Sequence, residues 1–184
     1  EWAAQYIKDN NLADDASFGI MLMTADTVSS CVPRTEGQIA KLTELLPGID
    51  AKIYRADHDT NMETGNVAAS AVITGNPQIT KWLVLAVSDE GAVGAARALE
   101  AAGLASSSMC VGLGGYYCPE EFANATSPFR AAAYFSARGV GGAAAQEMLD
   151  FLQNGTPIPE KTAVGATIVV YGDDLATIMP EYAG

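Results

Sequence analysis

Residues 81–100 read Lys81-Trp-Leu-Val-Leu-Ala-Val87-Ser-Asp-Glu90-Gly-Ala-Val-Gly-Ala-Ala-Arg-Ala-Leu-Glu100, and they decide the fold class. From Trp82 to Val87 the run is apolar without interruption and of strand length, the pattern of a strand buried on both faces. From Glu90 to Ala102 the pattern turns helical, with Val93, Ala96 and Leu99 on one side and Arg97 and Glu100 on the other. Gly103 follows where a left-handed C-cap is expected. A doubly buried strand feeding directly into a helix is half of a βαβ unit. Such units impose parallel pairing, right-handed crossovers and helices on both faces of the sheet.

The alternation extends in both directions. A helix over residues 1–10 carries Trp2, Tyr6 and Ile7 on one face, and Phe18 to Thr24 forms a first strand. Pro33 opens a helix with Ile39, Leu42, Leu45 and Leu46 at helical spacing, closed by Pro47-Gly48. Ala51 to Ala56 reads as the second strand and Met62 to Thr74 as its helix. Met109 to Leu113 is strand four, followed by a short helix from Pro119. Ala131 to Phe135 is strand five, and a long helix follows, marked by Val140, Ala144, Met148, Phe151 and Leu152 and stopped by Asn154-Gly155. Ala166 to Tyr171 is strand six, with a last short helix from Leu175. The predicted class is α/β, a doubly wound parallel sheet of about six strands in the Rossmann or flavodoxin manner.

Composition narrows the function. The chain has 184 residues, 49% of them apolar, enough for one well-buried domain. Ten Lys and Arg against 22 Asp and Glu give a net charge of −12, which repels phosphate backbones and argues against nucleic-acid binding. The longest apolar run, Ser17 to Ala25, is too short for a membrane helix. Opening on Glu1-Trp2 inside a helical pattern, the chain reads as a fragment or processed form, so the lack of a signal peptide says nothing of compartment. Cys31, Cys110 and Cys118 have no metal spacing, and Cys110 fits a reduced, packed thiol better than a disulfide with Cys118.

In open parallel sheets ligands bind beyond the carboxyl ends of the strands. That rule nominates Thr24-Ala-Asp26, Asp57-His-Asp59, Ser88-Asp-Glu90, Gly114-Gly-Tyr-Tyr117 and Ser136-Ala-Arg138. Enzyme signatures are weak among them. There is no G-x-S-x-G elbow, and His58, the lone histidine, lies between two aspartates in a predicted solvated turn. No metal motif and no cofactor signature occurs, and Gly139-Val-Gly141-Gly-Ala-Ala144, a relaxed dinucleotide fingerprint, sits on the wrong strand and suits close helix packing. Arg34 at a predicted helix start opposes the macrodipole, which leaves two readings: a guanidinium directed at ligand oxygens, or a solvated side chain near Glu36. Asp89 is expected to cap the following helix, Ser88 to cap or face the cleft, and Tyr116 or Tyr117 to offer a ring to a ligand. Trp82 belongs in the core.

A family resemblance covers nearly the whole chain. Thr24-Ala-Asp-Thr-Val-Ser-Ser-Cys-Val-Pro-Arg34-Thr-Glu-Gly37 resembles the segment after the first strand of the C-terminal lobe in arabinose-binding proteins. Lys81 to Glu100 looks like the most diagnostic stretch of arabinose- and ribose-binding proteins, and Val111-Gly-Leu-Gly-Gly115 is similar to their next strand and turn. The resemblance implies a type I periplasmic-binding-protein lobe of the LacI-type fold, with Arg34 on the family's sugar-contacting arginine, Ser30 on a cleft threonine and Val28 on a cleft leucine. It departs at two contacts: Ser88 replaces an asparagine, and Gly114 and Gly115 replace an Asp or Asn. The ligand-binding set is therefore Arg34, Ser88, Tyr116, Ser30, Asp89 and Gly115, with no catalytic residue and no metal.

What the resemblance implies is a carbohydrate-binding component of an ABC importer, periplasmic or extracellular and lipid-anchored if from a Gram-positive bacterium, whose partners are a sugar and a permease or chemoreceptor. The alternative is the effector lobe of a LacI-type regulator. A flavodoxin-like enzyme is a third reading without a signature behind it. Residues 130–160 would pack on an absent N-terminal lobe, so the isolated chain is expected to dimerise, or to dock its long helix, to cover Met148, Phe151 and Leu152.

Overall fold

The computed structural model describes residues 1–182. Its elements are α1 (Trp2–Asp9), β1 (Phe18–Thr24), α2 (Val32–Leu45), β2 (Ile53–Asp57), α3 (Met62–Gly75), β3 (Lys81–Ala86) and α4 (Asp89–Ala101). There follow β4 (Met109–Gly114), α5 (Cys118–Ala123), β5 (Phe129–Tyr134), α6 (Ala137–Asn154), β6 (Thr167–Val170) and α7 (Leu175–Ile178). Two boundaries differ from the sequence reading for local reasons. Gly48, at φ 87°, starts a 3-10 turn over Ile49–Lys52, so β2 begins at Ile53 rather than Ala51. Phe129 already pairs with Cys110 across a register shift, so β5 starts before Ala131.

The six strands form one sheet in the order β2-β1-β3-β4-β5-β6. Strands β1 to β5 run parallel, but β6 is antiparallel to β5, which corrects the expectation of a wholly parallel sheet. The reason lies in the connection. After α6 the chain returns through residues 155–166 without helix or strand, enters beside the carboxyl end of β5 at Thr167 and runs back along it. A parallel strand would need a crossover to the opposite edge.

Both faces of the central strands are buried, as the apolar runs required. Met21, Met23, Trp82, Val84 and Phe129 pack on the side of α3 and α4, while Ile20, Leu22, Leu83, Leu85 and Val111 pack on the side of α1 and α2. Each such side chain contributes about 1.5–3 kcal/mol on burial, so these central strands hold the fold together. Trp82 is 1% exposed and edge-on to Tyr54, as its core reading required. Cys31, Cys110 and Cys118 are buried free thiols, so no disulfide joins the last two.

Helix α6 is the exception to burial. Ser136 caps it by accepting from the Gly139 N–H at 3.1 Å, and Gly155 ends it at φ 69°. None of its residues is buried, and Met148, Leu149, Phe151 and Leu152 stay exposed. Local signals suffice to specify the helix, whereas its apolar side has no partner among the described residues.

Helices α3 and α4 approach most closely at glycines. A Cβ on Gly94 would stand 2.6 Å from the Met62 carbonyl oxygen and 2.7 Å from the Asn66 nitrogen. Helix propensity alone favours alanine there by about 1 kcal/mol. The backbone contact reverses that sign, so Gly94→Ala is expected to destabilise by about 1–3 kcal/mol in urea unfolding. A neutral or stabilised variant would show that the two helices separate freely.

Candidate functional site

The strand order reverses between β1 and β3, which sends α2 to one face and α3 and α4 to the other. The carboxyl edge there is the switch point where open α/β sheets place ligands. Arg34, half-buried in the first turn of α2, donates from Nη1 to the Val87 carbonyl at 2.7 Å. It therefore straddles the switch point, tying the start of α2 to the end of β3. It forms no ion pair with Glu36 among the described residues. The guanidinium has five N–H donors, and Val87 takes up one.

Of the next two residues, both candidates for the α4 cap, only the first takes that role. Ser88, not Asp89, caps α4: its Oγ accepts from the Gly91 N–H at 3.3 Å. Asp89 turns inward and is fully buried. Its Oδ2 accepts from the Tyr117 N–H at 3.3 Å, while Oδ1 is buried without a partner. Gly112 makes the room, since a Cβ there would lie 2.2 Å from Oδ1 of Asp89. Burial pushes the Asp89 carboxyl up to about 6, against backbone N–H groups of Tyr117, Gly115 and Tyr116 that pull it down. Asp89 thus holds the turn after β4 rather than capping a helix.

That turn positions Tyr116. Gly114 and Gly115 adopt φ of 133° and 89°, conformations that favour glycine. A Cβ on Gly114 would stand 2.3 Å from Cε1 of Tyr116, so the ring occupies the space into which a strand-end side chain would project. The Tyr116 hydroxyl donates to Oε2 of Glu90 at 2.6 Å, and the ring remains exposed. Tyr117 lies 5.2 Å away at a tilt of 50° and packs toward the core. Ser30 is exposed in the loop between β1 and α2, with no described hydrogen bond to any of the others. Arg34, Ser88, Asp89, Gly115 and Tyr116 therefore share one edge of the sheet, and Ser30 stands on an open loop beside it.

Three neighbours complete the edge. Asp57 Oδ1 accepts from Thr24 Oγ1 and from the Asp26 N–H, both at 3.0 Å, fixing the loop that leads to Arg34. His58 is not a solvated turn residue, as the sequence suggested, but is 4% exposed. Its Nδ1 accepts from the Thr60 N–H at 2.9 Å, which leaves the proton on Nε2, a buried atom without a partner. Burial holds the imidazole below its ordinary pKa although Asp57, Asp59 and Glu90 pull it upward. The aspartates on either side suggested a polar turn, but the glycine at position 91 lets the ring sink against α4. Phe135, read as the last residue of strand five, instead follows β5 and is half-buried just before the Ser136 cap. Its place directly after a strand was the signal that could have nominated it.

A groove of about 440 Å³ runs along the α1 and α2 side of the sheet, lined by Trp2, Arg34, Leu85, Val111, Leu113 and Ile168. It is an incompletely covered part of the sheet face that Arg34 borders. Among the described residues no cluster of three or more His, Cys, Asp or Glu has metal-binding geometry, and no helix is long and apolar enough to cross a membrane.

This architecture is that of one lobe of a type I periplasmic binding protein. Among similar solved structures is a periplasmic solute-binding protein of an ABC transporter from Actinobacillus succinogenes with bound D-allose, at TM-score 0.72 and 20% identity, covering 92% of this chain and 58% of that one. A galactofuranose-binding protein matches at TM-score 0.73 and 19% identity, over 97% of this chain and 58% of the other. A LacI family transcriptional regulator from an Arthrobacter species, in complex with lactose, matches at 0.68 and 20%, over 92% and 61%. The chain thus spans about three fifths of each. These neighbours are sugar-binding, transport and regulatory proteins, and the likeness carries the fold. No family model and no curated protein matches the sequence.

Asp89 generates a test by pH. Its folded pKa of about 6 exceeds the ordinary 3.8, so its contribution is fully present below pH 3.8 and is lost as pH rises through 6. For a fully buried group that rise corresponds to roughly 3 kcal/mol. In urea unfolding from pH 3.5 to 7.5, the wild type is expected to lose on the order of 2–3 kcal/mol relative to Asp89→Asn across that interval. Parallel pH profiles for the two proteins would refute a buried, titrating Asp89.

Proposed function

We propose that the chain is the ligand-facing lobe of a carbohydrate-binding protein that captures a mono- or small saccharide in a cleft between two lobes and presents it to an ABC importer outside the cytoplasm. One observation carries the reading. Arg34, from the far side of the switch point, reaches the end of β3 beside the Ser88 cap, at the same edge as the Gly114–Tyr117 turn. The site combines guanidinium donors with an exposed aromatic ring, the two chemistries that recognise a pyranose or furanose by hydrogen bonding and stacking. The exposed side of α6, with Met148, Phe151 and Leu152, is the surface against which a second lobe would pack. Closure of the lobes around ligand would then be the signal that a permease or chemoreceptor detects.

The lactose-bound regulator among the similar structures supports a second reading, the effector lobe of a LacI-type transcription factor. The charge of −12 weighs toward the transport reading, because a DNA-docked protein gains from basic neighbours. The coding sequence upstream of Glu1 separates the two: a secretion signal supports the importer, a helix-turn-helix the regulator.

Binding itself is tested by calorimetry on the protein expressed from its complete reading frame, with a panel of pentoses and hexoses. At least one saccharide is expected to bind, and Arg34→Ala to weaken it about tenfold or more through loss of charged hydrogen bonds. The 184-residue lobe alone, leaving ligand open to water on one side, is expected to bind the same saccharide more weakly. Full affinity in Arg34→Ala, or no saccharide bound by the whole protein, would refute the proposal.

A further inference from the structure

Resting on the saccharide reading above, we infer that the ligand turns a deoxygenated or alkylated face toward this lobe, so that the preferred substrates are deoxy or alkyl-substituted sugars rather than fully hydroxylated ones. The polar groups at the ends of β3 and β4 are largely committed within the protein. The Ser88 oxygen accepts from the Gly91 N–H, and Asp89 is fully buried beneath the turn. The Tyr116 hydroxyl donates to Glu90, and one N–H of Arg34 donates to the Val87 carbonyl. Gly114 and Gly115 bring no side chain at all, and the space beyond Gly114 is taken by the Tyr116 ring.

What the ends of β3 and β4 leave accessible is largely the Tyr116 ring, while Asp26, Thr27, Ser29 and Ser30 are exposed on the loop after β1 and Arg138 at the start of α6. Tyr116 is 38% exposed with its ring fixed at both ends, by Gly114 below and Glu90 at the hydroxyl. Val28 is exposed on the loop before α2, and Phe135 is half-buried at the end of β5. A sugar hydroxyl brought against such a surface loses its water and gains no partner, whereas a methyl group there is buried favourably. The remaining donors of Arg34 still fix one or two oxygens, such as the ring oxygen and a neighbouring hydroxyl. Against the Tyr116 ring, where no polar partner is offered, the analogue lacking a hydroxyl is not rejected but favoured.

The test compares matched pairs by calorimetry on the protein from its complete reading frame: D-galactose with 6-deoxy-D-galactose, D-glucose with 6-deoxy-D-glucose, and D-ribose with 5-deoxy-D-ribose. In the pair bound best, the deoxy sugar is expected to bind more tightly than its parent, by about tenfold. Tyr116→Phe, which keeps the ring, is expected to retain that preference, and Tyr116→Ala to abolish it. A parent sugar bound as tightly as its deoxy partner overturns the inference while leaving the saccharide reading intact. A preference that survives in a folded Tyr116→Ala also overturns it, and the wild-type comparison decides alone if that variant does not fold. Binding of no sugar in the panel overturns both readings together.

Discussion

The parallel pairing of β1 with β3, each sealed from water on both faces, is the constraint on which the rest of the molecule depends. Met21 and Met23 face one side of the sheet and Ile20 and Leu22 the other, with Val84 and Leu83 beside them in register. A strand buried twice over needs helices on both faces, and the handedness of the crossovers then decides which helix goes where. Strand order reverses at this pair, so α2 and α4 leave it on opposite sides. The opening between them at the carboxyl edge follows from the wrapping of the core, before any residue is chosen for binding.

Close approaches at glycine turn that opening into a defined surface. Gly112 admits the Asp89 carboxylate beneath β4, and Gly114 admits the Tyr116 ring above it. The same economy operates at Gly91, where the absent side chain lets His58 sink out of solvent. The outcome at the ends of β3 and β4 is a stretch rich in polar residue types whose atoms local turns and caps largely engage. A residue type seen at a strand end says little about which of its atoms remain available.

Helix α6 shows the opposite balance. Its cap at Ser136 and its left-handed stop at Gly155 specify the segment without any tertiary contact. Its apolar side chains are then left in water, a cost that an isolated lobe bears and a second body would relieve. The antiparallel β6 belongs to the same excursion. The chain leaves the sheet at the carboxyl edge through α6, comes back there, and can only run downward beside β5.

By itself the sequence determined the order of strands and helices, the α/β class and the carboxyl edge at which open α/β sheets place ligands, because hydrophobic period and glycine-proline punctuation are local physical signals. It also placed Arg34, Ser88 and Tyr116 at that edge, since each directly follows a buried strand or opens a helix. Only the tertiary structure decided that Ser88 caps while Asp89 is buried, that His58 is covered, and that β6 runs backward. Those outcomes turn on how much space a distant backbone leaves. Gly112 and Asp89 are far apart in the chain yet share one small volume, and no pattern of neighbours along the sequence records that they meet.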